Sequence, residues 1–417
     1  MEVLLIARHR FLSRARCTMA GVGLALVTTG CEALTGLDDF SISSKTSSDA
    51  RPPETPAPDG DDPCPPWTFD CDGTCIDLQN DPDHCGGCQQ PCAATAVCSD
   101  ATCVCAQGHT ACDGECIDLD SDARHCGACH HDCAGQACAR GQCAPEILAT
   151  GLPSVFALAV SDGTLFWTEP HAGRVVSIPA HGGERTDVAS AARPHALCAD
   201  TDALYWSEED TGRIVRFDRL SSGTTTLASN QPAAYDLVLG GGFAYWTTHD
   251  TGKVLRAPLG GGTPQPVASG QQGPFRLAVN ATHVYWVNLG AGAVLRAPLT
   301  GGTAIPIATG LSAPRALVLD THHVYWASDD GVIARDALAG GAPMRLTTTA
   351  GLPQHLALAE GHLYWTDAAG TVQRIATDGG VPLVLASGQA RPAGMALDAT
   401  HVYWSNLDDG TLQRVPR

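Results

Sequence analysis

Two columns of a repeated sequence between residues 144 and 417 carry the side chains best equipped for chemistry. Just before a recurring leucine position stand Ala157, Ala196, Asp236, Arg276, Ala316, His355 and Gly394. One step earlier stand Phe156, His195, Tyr235, Phe275, Arg315, Gln354 and Ala393. Together they offer a carboxylate, guanidinium groups, imidazoles and aromatic rings, which is the donor, acceptor and stacking set of a concave binding site. Catalysis asks for more. Metal-assisted hydrolysis needs several carboxylate or amide oxygens converging on one ion, and these columns hold one carboxylate, Asp236. An elimination needs a positioned base with an electrophilic partner, a role open to His355 or His195 near Arg315. No Gly-x-Ser-x-Gly elbow and no His-Glu-x-x-His pair occurs. Ligand binding by Phe156, His195, Tyr235, Asp236, Phe275, Arg276, Arg315, Gln354 and His355 is therefore the expectation, with no catalytic residue assigned. Lyase or lactonase chemistry in a central channel is the alternative.

The columns are positioned by a period. Aromatic pairs recur at Phe166-Trp167, Tyr205-Trp206, Tyr245-Trp246, Tyr285-Trp286, Tyr325-Trp326, Tyr364-Trp365 and Tyr403-Trp404, with the tryptophans 39 or 40 residues apart. Short β-rich runs broken by Gly-rich turns at such a period are the mark of propeller blades. One unit reads as strands over 274–279, 283–287, 293–297 and 305–308, with Gly301-Gly302 turning into the last. The expected fold class is all-β: a seven-bladed β-propeller over 144–417, preceded by two small disulfide-rich modules. The last unit stops after its third strand, and Glu146 to Thr150 looks like a fourth strand without a blade, so pairing the two would close the ring and remove both edges. Both chemical columns then lie where inner strands begin, around one mouth of the channel. Tryptophans repeating once per blade read as inter-blade packing, Arg216, Arg256, Arg296, Arg335, Arg374 and Arg414 as structural contacts, and Cys198 as a buried thiol. The loops after the Tyr-Trp strands share that face and are acidic: Glu169, Glu208, Glu209, Asp210, Asp250, Asp329, Asp330, Asp367, Asp408 and Asp409. They could draw a basic partner or hold calcium loosely, and no other cofactor is expected.

Tyr364-Trp365-Thr366-Asp367 resembles the repeat motif of low-density-lipoprotein-receptor-type propellers. That resemblance implies six blades, whereas the period gives seven. Propellers also include lactonases and lyases of the gluconolactonase and streptogramin-lyase kinds, which is what the enzymatic alternative rests on.

Upstream, sixteen of nineteen cysteines fall between Cys64 and Cys143. Eight of them, from Cys64 to Cys103, recur from Cys105 to Cys143 at a displacement of 40 or 41 residues. Units this small need staples. Zinc is the rival use of Cys-x-x-Cys, but an exported chain favours oxidation. The pattern Cys112-Asp113-Gly114-Glu115-Cys116-Ile117-Asp118-Leu119, followed by His125-Cys126-Gly127-Ala128-Cys129, resembles the Stig1-like cysteine-rich family. The resemblance covers 64–104 and 105–143 and implies an interaction or spacer module.

Export itself is expected from Arg8 to Arg16 followed by the apolar run Cys17 to Val27, too short to span a bilayer and suited to a signal peptide over 1–30. Val27-Thr28-Thr29-Gly30-Cys31 resembles a bacterial lipobox, departing from it at Thr28, and implies lipidation of Cys31. Residues 41–63 are polar, acidic and Pro-rich, and 31–63 read as a flexible, lipid-anchored tether. With 44 acidic residues against 25 basic ones and a net charge of −19, nucleic acid is excluded as a partner. The expectation is a monomeric cell-envelope lipoprotein, held at the outer membrane or cell surface through a lipid anchor alone, or else secreted, with an envelope or extracellular protein or small molecule as its ligand.

Overall fold

The computed structural model describes residues 64–417; the signal peptide, Cys31 and the tether lie outside them. The described chain divides into two compact units, with the boundary after Asp118.

The first unit is built of hairpins a few residues long, Phe69–Cys71 with Thr74–Ile76, Ala96–Ser99 with Thr102–Cys105, and Thr110–Cys112 with Glu115–Ile117. The turn Asp72-Gly73 has φ of 53° and 85°, the left-handed pair that an Asp-Gly hairpin turn requires. Little apolar surface is buried, and disulfides hold the unit: Cys64–Cys75, Cys71–Cys88, Cys85–Cys98, Cys92–Cys103 and Cys105–Cys116. In the second unit Cys126–Cys138 and Cys133–Cys143 repeat the order of the third and fourth of these. Cys112 and Cys129 are disulfide-bonded too, so every module cysteine is oxidised.

From residue 146 onward the chain forms seven four-stranded antiparallel sheets. Blade 1 comprises Leu158–Ser161, Thr164–Glu169, Arg174–Pro179 and Thr186–Ser190. Blades 2 to 6 follow over 194–228, 234–268, 274–308, 314–348 and 353–386. Blade 7 takes Pro392–Leu397, His401–Asn406 and Thr411–Pro416 from the C-terminal side and Glu146–Ala149 as its outer strand. Leu412 pairs with Ala149, Gln413 with Ile147 and Arg414 with Glu146, so the ring closes as the repeat pattern predicts.

The seven tryptophans are at most 1% exposed and pack between neighbouring sheets. Three members of the arginine column bridge blades, while Arg216 and Arg256 bond within their own. Arg296 donates to the Leu338 carbonyl of the next blade (2.8 Å), Arg335 to that of Thr377 (2.6 Å), and Arg414 to that of Ala180 across the closure (2.7 Å). Cys198 is buried in the same layer. Tight approach of loops on one face selects glycine: a Cβ on Gly292, whose φ is 58°, would stand 2.2 Å from the Leu311 carbonyl oxygen.

Candidate functional site

The two chemical columns sit in a backbone irregularity. The inner strand leaves ladder register between Pro194 and Leu197, between Ala234 and Leu237, between Pro274 and Leu277, and between Pro392 and Met395. Such bulges free backbone groups and re-aim side chains. The freed groups are taken up by the third residue of the Tyr-Trp motif. Ser207 Oγ accepts from the Ala196 amide, Thr247 Oγ1 from that of Asp236, and Ser405 Oγ from that of Gly394. The same position donates onward to the next blade: Thr168 to the His195 carbonyl (3.2 Å), Thr247 to that of Phe275 (2.8 Å), Thr366 to that of Ala393 (3.1 Å) and Ser405 to that of Val155 (2.8 Å). Buried hydroxyls thus fix the backbone of the columns from both sides.

On this frame the structure brings most of the expected residues together. Phe156, His195, Tyr235 and Phe275, from blades 1 to 4, form a continuous row with ring centroids 6.5, 4.5 and 4.0 Å apart. The Arg276 guanidinium lies 5.7 Å from the Tyr235 ring centre and 5.8 Å from that of Phe275, within cation–π range. It donates to Asp236 (3.1 Å), whose other oxygen accepts from the Leu277 amide (2.9 Å). Asp236, Arg276 and His355 line a central channel of about 810 Å³. Burial, with the Arg276 charge second, pushes the pKa values of both His195 and His355 below the ordinary histidine value. One guanidinium from blade 4, on the channel wall, therefore acts on imidazoles of blades 2 and 6. His195 Nδ1 lies 3.1 Å from the Tyr235 carbonyl, which can only accept, so Nδ1 carries the proton and Nε2 of the neutral ring is an acceptor. His355 Nδ1 is buried without a hydrogen-bond partner.

Two of the expected residues are engaged by other partners. Arg315 pairs with Asp329 on its own blade's loop, which raises its pKa further, and Gln354 reaches back to the Leu352 carbonyl (3.4 Å).

The acidic loop face is smaller than its sequence suggests. Glu169, Glu208 and Asp367 are at most 1% exposed. Glu169 accepts from Trp167 Nε1 (3.0 Å) and Arg174 (2.6 Å), and Glu208 from Trp206 Nε1 (3.3 Å), Thr211 (2.6 Å) and Arg213 (2.8 Å). Burial opposes the charge of Glu208, yet these hydrogen bonds hold its pKa below the usual glutamate value. Asp367 is likewise occupied by Thr371 and Gln373. These carboxylates cap buried donors and offer nothing to a ligand.

A polar set at the channel's other end escaped the sequence reading. Asp162, Asp320, Glu360, Asp398 and Arg417 line the cavity there, with Arg417 bonded to Glu360 (2.8 Å) and to the Ala399 carbonyl (2.6 Å). Its signal was available, because Asp200, Asn280, Asp320 and Asp398 repeat just ahead of the Tyr-Trp strand. Three of these carboxylates accept from the tyrosine hydroxyl of their own blade, at 3.0, 2.7 and 2.6 Å.

The ring is similar to virginiamycin B lyase from Staphylococcus aureus, solved as a catalytically inactive variant with quinupristin. The identity is 17%, 66% of this chain and 98% of that one are covered, and the TM-score is 0.57. It is also similar to U3-55K (12% identity, 66% and 98% covered, TM-score 0.56) and to the computationally designed Ika8 (15%, 65% and 98%, TM-score 0.53). At such identities the likeness shows the fold alone. No protein-family model matches the chain, and no curated protein sequence matches it.

Proposed function

We propose that this chain is a non-catalytic cell-envelope lipoprotein whose propeller binds a protein or small molecule at the channel mouth where the inner strands begin. Two Stig1-like modules and the tether before them act as a spacer from a lipid anchor on Cys31. The observation that carries the reading is the ring row Phe156–His195–Tyr235–Phe275 with Arg276 over it, held on a hydroxyl-fixed frame. Preorganised aromatic surface of this kind is affinity with little ordering cost. The test is capture of envelope components by the full chain and by a Phe156→Ala, Tyr235→Leu variant. Phe156 is 43% exposed and Tyr235 half-buried, so the fold should survive the change. The parent should retain a partner that the variant loses, and equal capture by both defeats the proposal. For the anchor, Cys31→Ser should release the protein from membrane fractions.

The enzymatic reading draws on one observation, the neutral His355 imidazole on the channel wall with its Nδ1 unpartnered beside the Arg276 charge. The solved lyase of like fold was captured with quinupristin. If this chain opens a cyclic ester, incubation with quinupristin should give a chromatographically distinct linear product, equal in mass to the substrate for elimination and one water heavier for hydrolysis, that His355→Ala fails to form. An unchanged substrate after incubation with the parent chain removes this reading.

A further inference from the structure

We infer that the occupant of the mouth is a cationic peptide segment bearing aromatic side chains; the inference rests on the mouth being the binding site. The argument is one of charge set beside stacking surface. Loops that follow the Tyr-Trp strands hydrogen-bond to loops that lead into inner strands: the Glu209 amide to the Arg193 carbonyl, that of His249 to Ala233, that of Asp329 to Ser312. The rim and the mouth are therefore one surface.

Every rim guanidinium is already matched. Arg193 holds Glu209 (3.0 Å) and Asp210 (3.4 Å), Arg391 holds Asp408 (3.0 Å), Arg315 holds Asp329 and Arg276 holds Asp236. Among the described residues Asp250 pairs with the His249 imidazole alone, and no arginine pairs with Asp330 or Asp409. Carboxylates thus outnumber guanidiniums at the rim of a chain whose total charge is −19. An anionic ligand meets repulsion at long range and would have to displace Asp236 from Arg276 at short range.

A cation meets the reverse. Its aromatic companions extend a row that already holds one guanidinium at cation–π distance. A peptide main chain adds carbonyl acceptors for Arg276, which spends one nitrogen on Asp236, and amide donors for acceptors such as His195 Nε2. Among ligand classes, a basic aromatic peptide uses the carboxylates, the rings and the central polar groups together.

Three fluorescein-labelled pentapeptides test this by anisotropy with the full chain: alternating Lys-Phe-Lys-Phe-Lys, its Gln-Phe analogue and its Glu-Phe analogue. The Lys peptide should bind at least tenfold more tightly than either analogue, and Asp250→Asn with Asp330→Asn and Asp409→Asn should weaken it severalfold. Phe156→Ala with Tyr235→Leu should weaken it at least tenfold. Absence of Lys-peptide binding, equal binding of an analogue, or indifference to the three aspartate changes overturns the ligand class. Where a better-binding analogue is still lost in the ring variant, the mouth remains the site and only the class falls. Tight Lys-peptide binding that ignores the ring variant defeats the mouth itself.

Discussion

Truncating Leu148 tests whether four residues at the start of the ring hold it shut. Glu146–Ala149 alternates its faces, with Ile147 57% exposed and Leu148 9% exposed. Leu148 packs among Trp167, Ile178 and Ala180 of blade 1 and Tyr403 and Leu412 of blade 7, so it joins the two ends of the array. Its place matches Leu227, Val267, Ile307, Leu346 and Leu385 in the outer strands of other blades, all buried. A buried Leu→Ala change costs about 2–5 kcal/mol, and in a domain of this size each kcal/mol lowers Tm by roughly 2–4 °C. Leu148→Ala should therefore melt some 4–20 °C below the parent by about these coefficients. Ile147→Ala, one residue away on the solvent face, should stay within about 0.5 kcal/mol of the parent. Calorimetry of the two variants side by side decides the matter. Equal melting of Leu148→Ala and parent, or equal damage from both changes, would refute closure through this strand.

Other expectations follow from single contacts. Non-reduced intact mass should lie sixteen hydrogens below that of the fully reduced chain, since all sixteen module cysteines are bonded; alkylation of module thiols without reductant would contradict this. Thr247→Val removes a donor to the Phe275 carbonyl and an acceptor for the Asp236 amide, and should cost about 1–3 kcal/mol in chemical denaturation; no change would mean that water replaces the hydroxyl freely. Because the folded pKa of His355 lies below its unfolded value near 6.5, the unfolded state binds more protons once pH falls under about 6.5, and stability should decline from there toward about 3. His355→Gln should flatten that decline, and an unaltered slope would show that other groups carry it.

Period and alternation made the blades, the closing strand and the chemical columns legible, because packing between sheets fixes residue type once per repeat. The fourth position of the Tyr-Trp motif was misread as open acidic surface for a physical reason. A glutamate there suits equally a solvated loop or a buried acceptor for an indole N–H, and strand alternation does not distinguish the two at a strand end. Co-occurrence inside the repeat does. Glu169 and Glu208 are each followed five residues later by an arginine, Arg174 and Arg213, whereas Asp367 and Asn406 are followed at their next strand by Thr371 and Thr411. Each carboxylate travels with its own donor, as partners in a buried network must, whereas the Asn406 amide nitrogen itself donates to Thr411 Oγ1.

The same bookkeeping of hydroxyls explains why one arc of the mouth is ready-made and the other is not. Thr168 and Thr247 tie down the carbonyls of His195 and Phe275, and the His195 imidazole ties that of Tyr235, so the ring row has a fixed backbone at each of its inner members. Blades 4 and 5 carry Val287 and Ala327 where the others carry Ser or Thr. The next carbonyls, those of Arg315 and Gln354, accept no side-chain hydrogen bond among the described residues. Side chains whose carbonyls lack that tie, with Ala316 and His355 beside them still in ladder register, can adjust to a ligand by rotamer change, at a cost in ordering that the aromatic arc avoids. A partner would then dock its apolar groups on the fixed arc first and recruit Arg315 and Gln354 second. Restoring the tie with Val287→Thr should slow that adjustment and leave the aromatic contact alone.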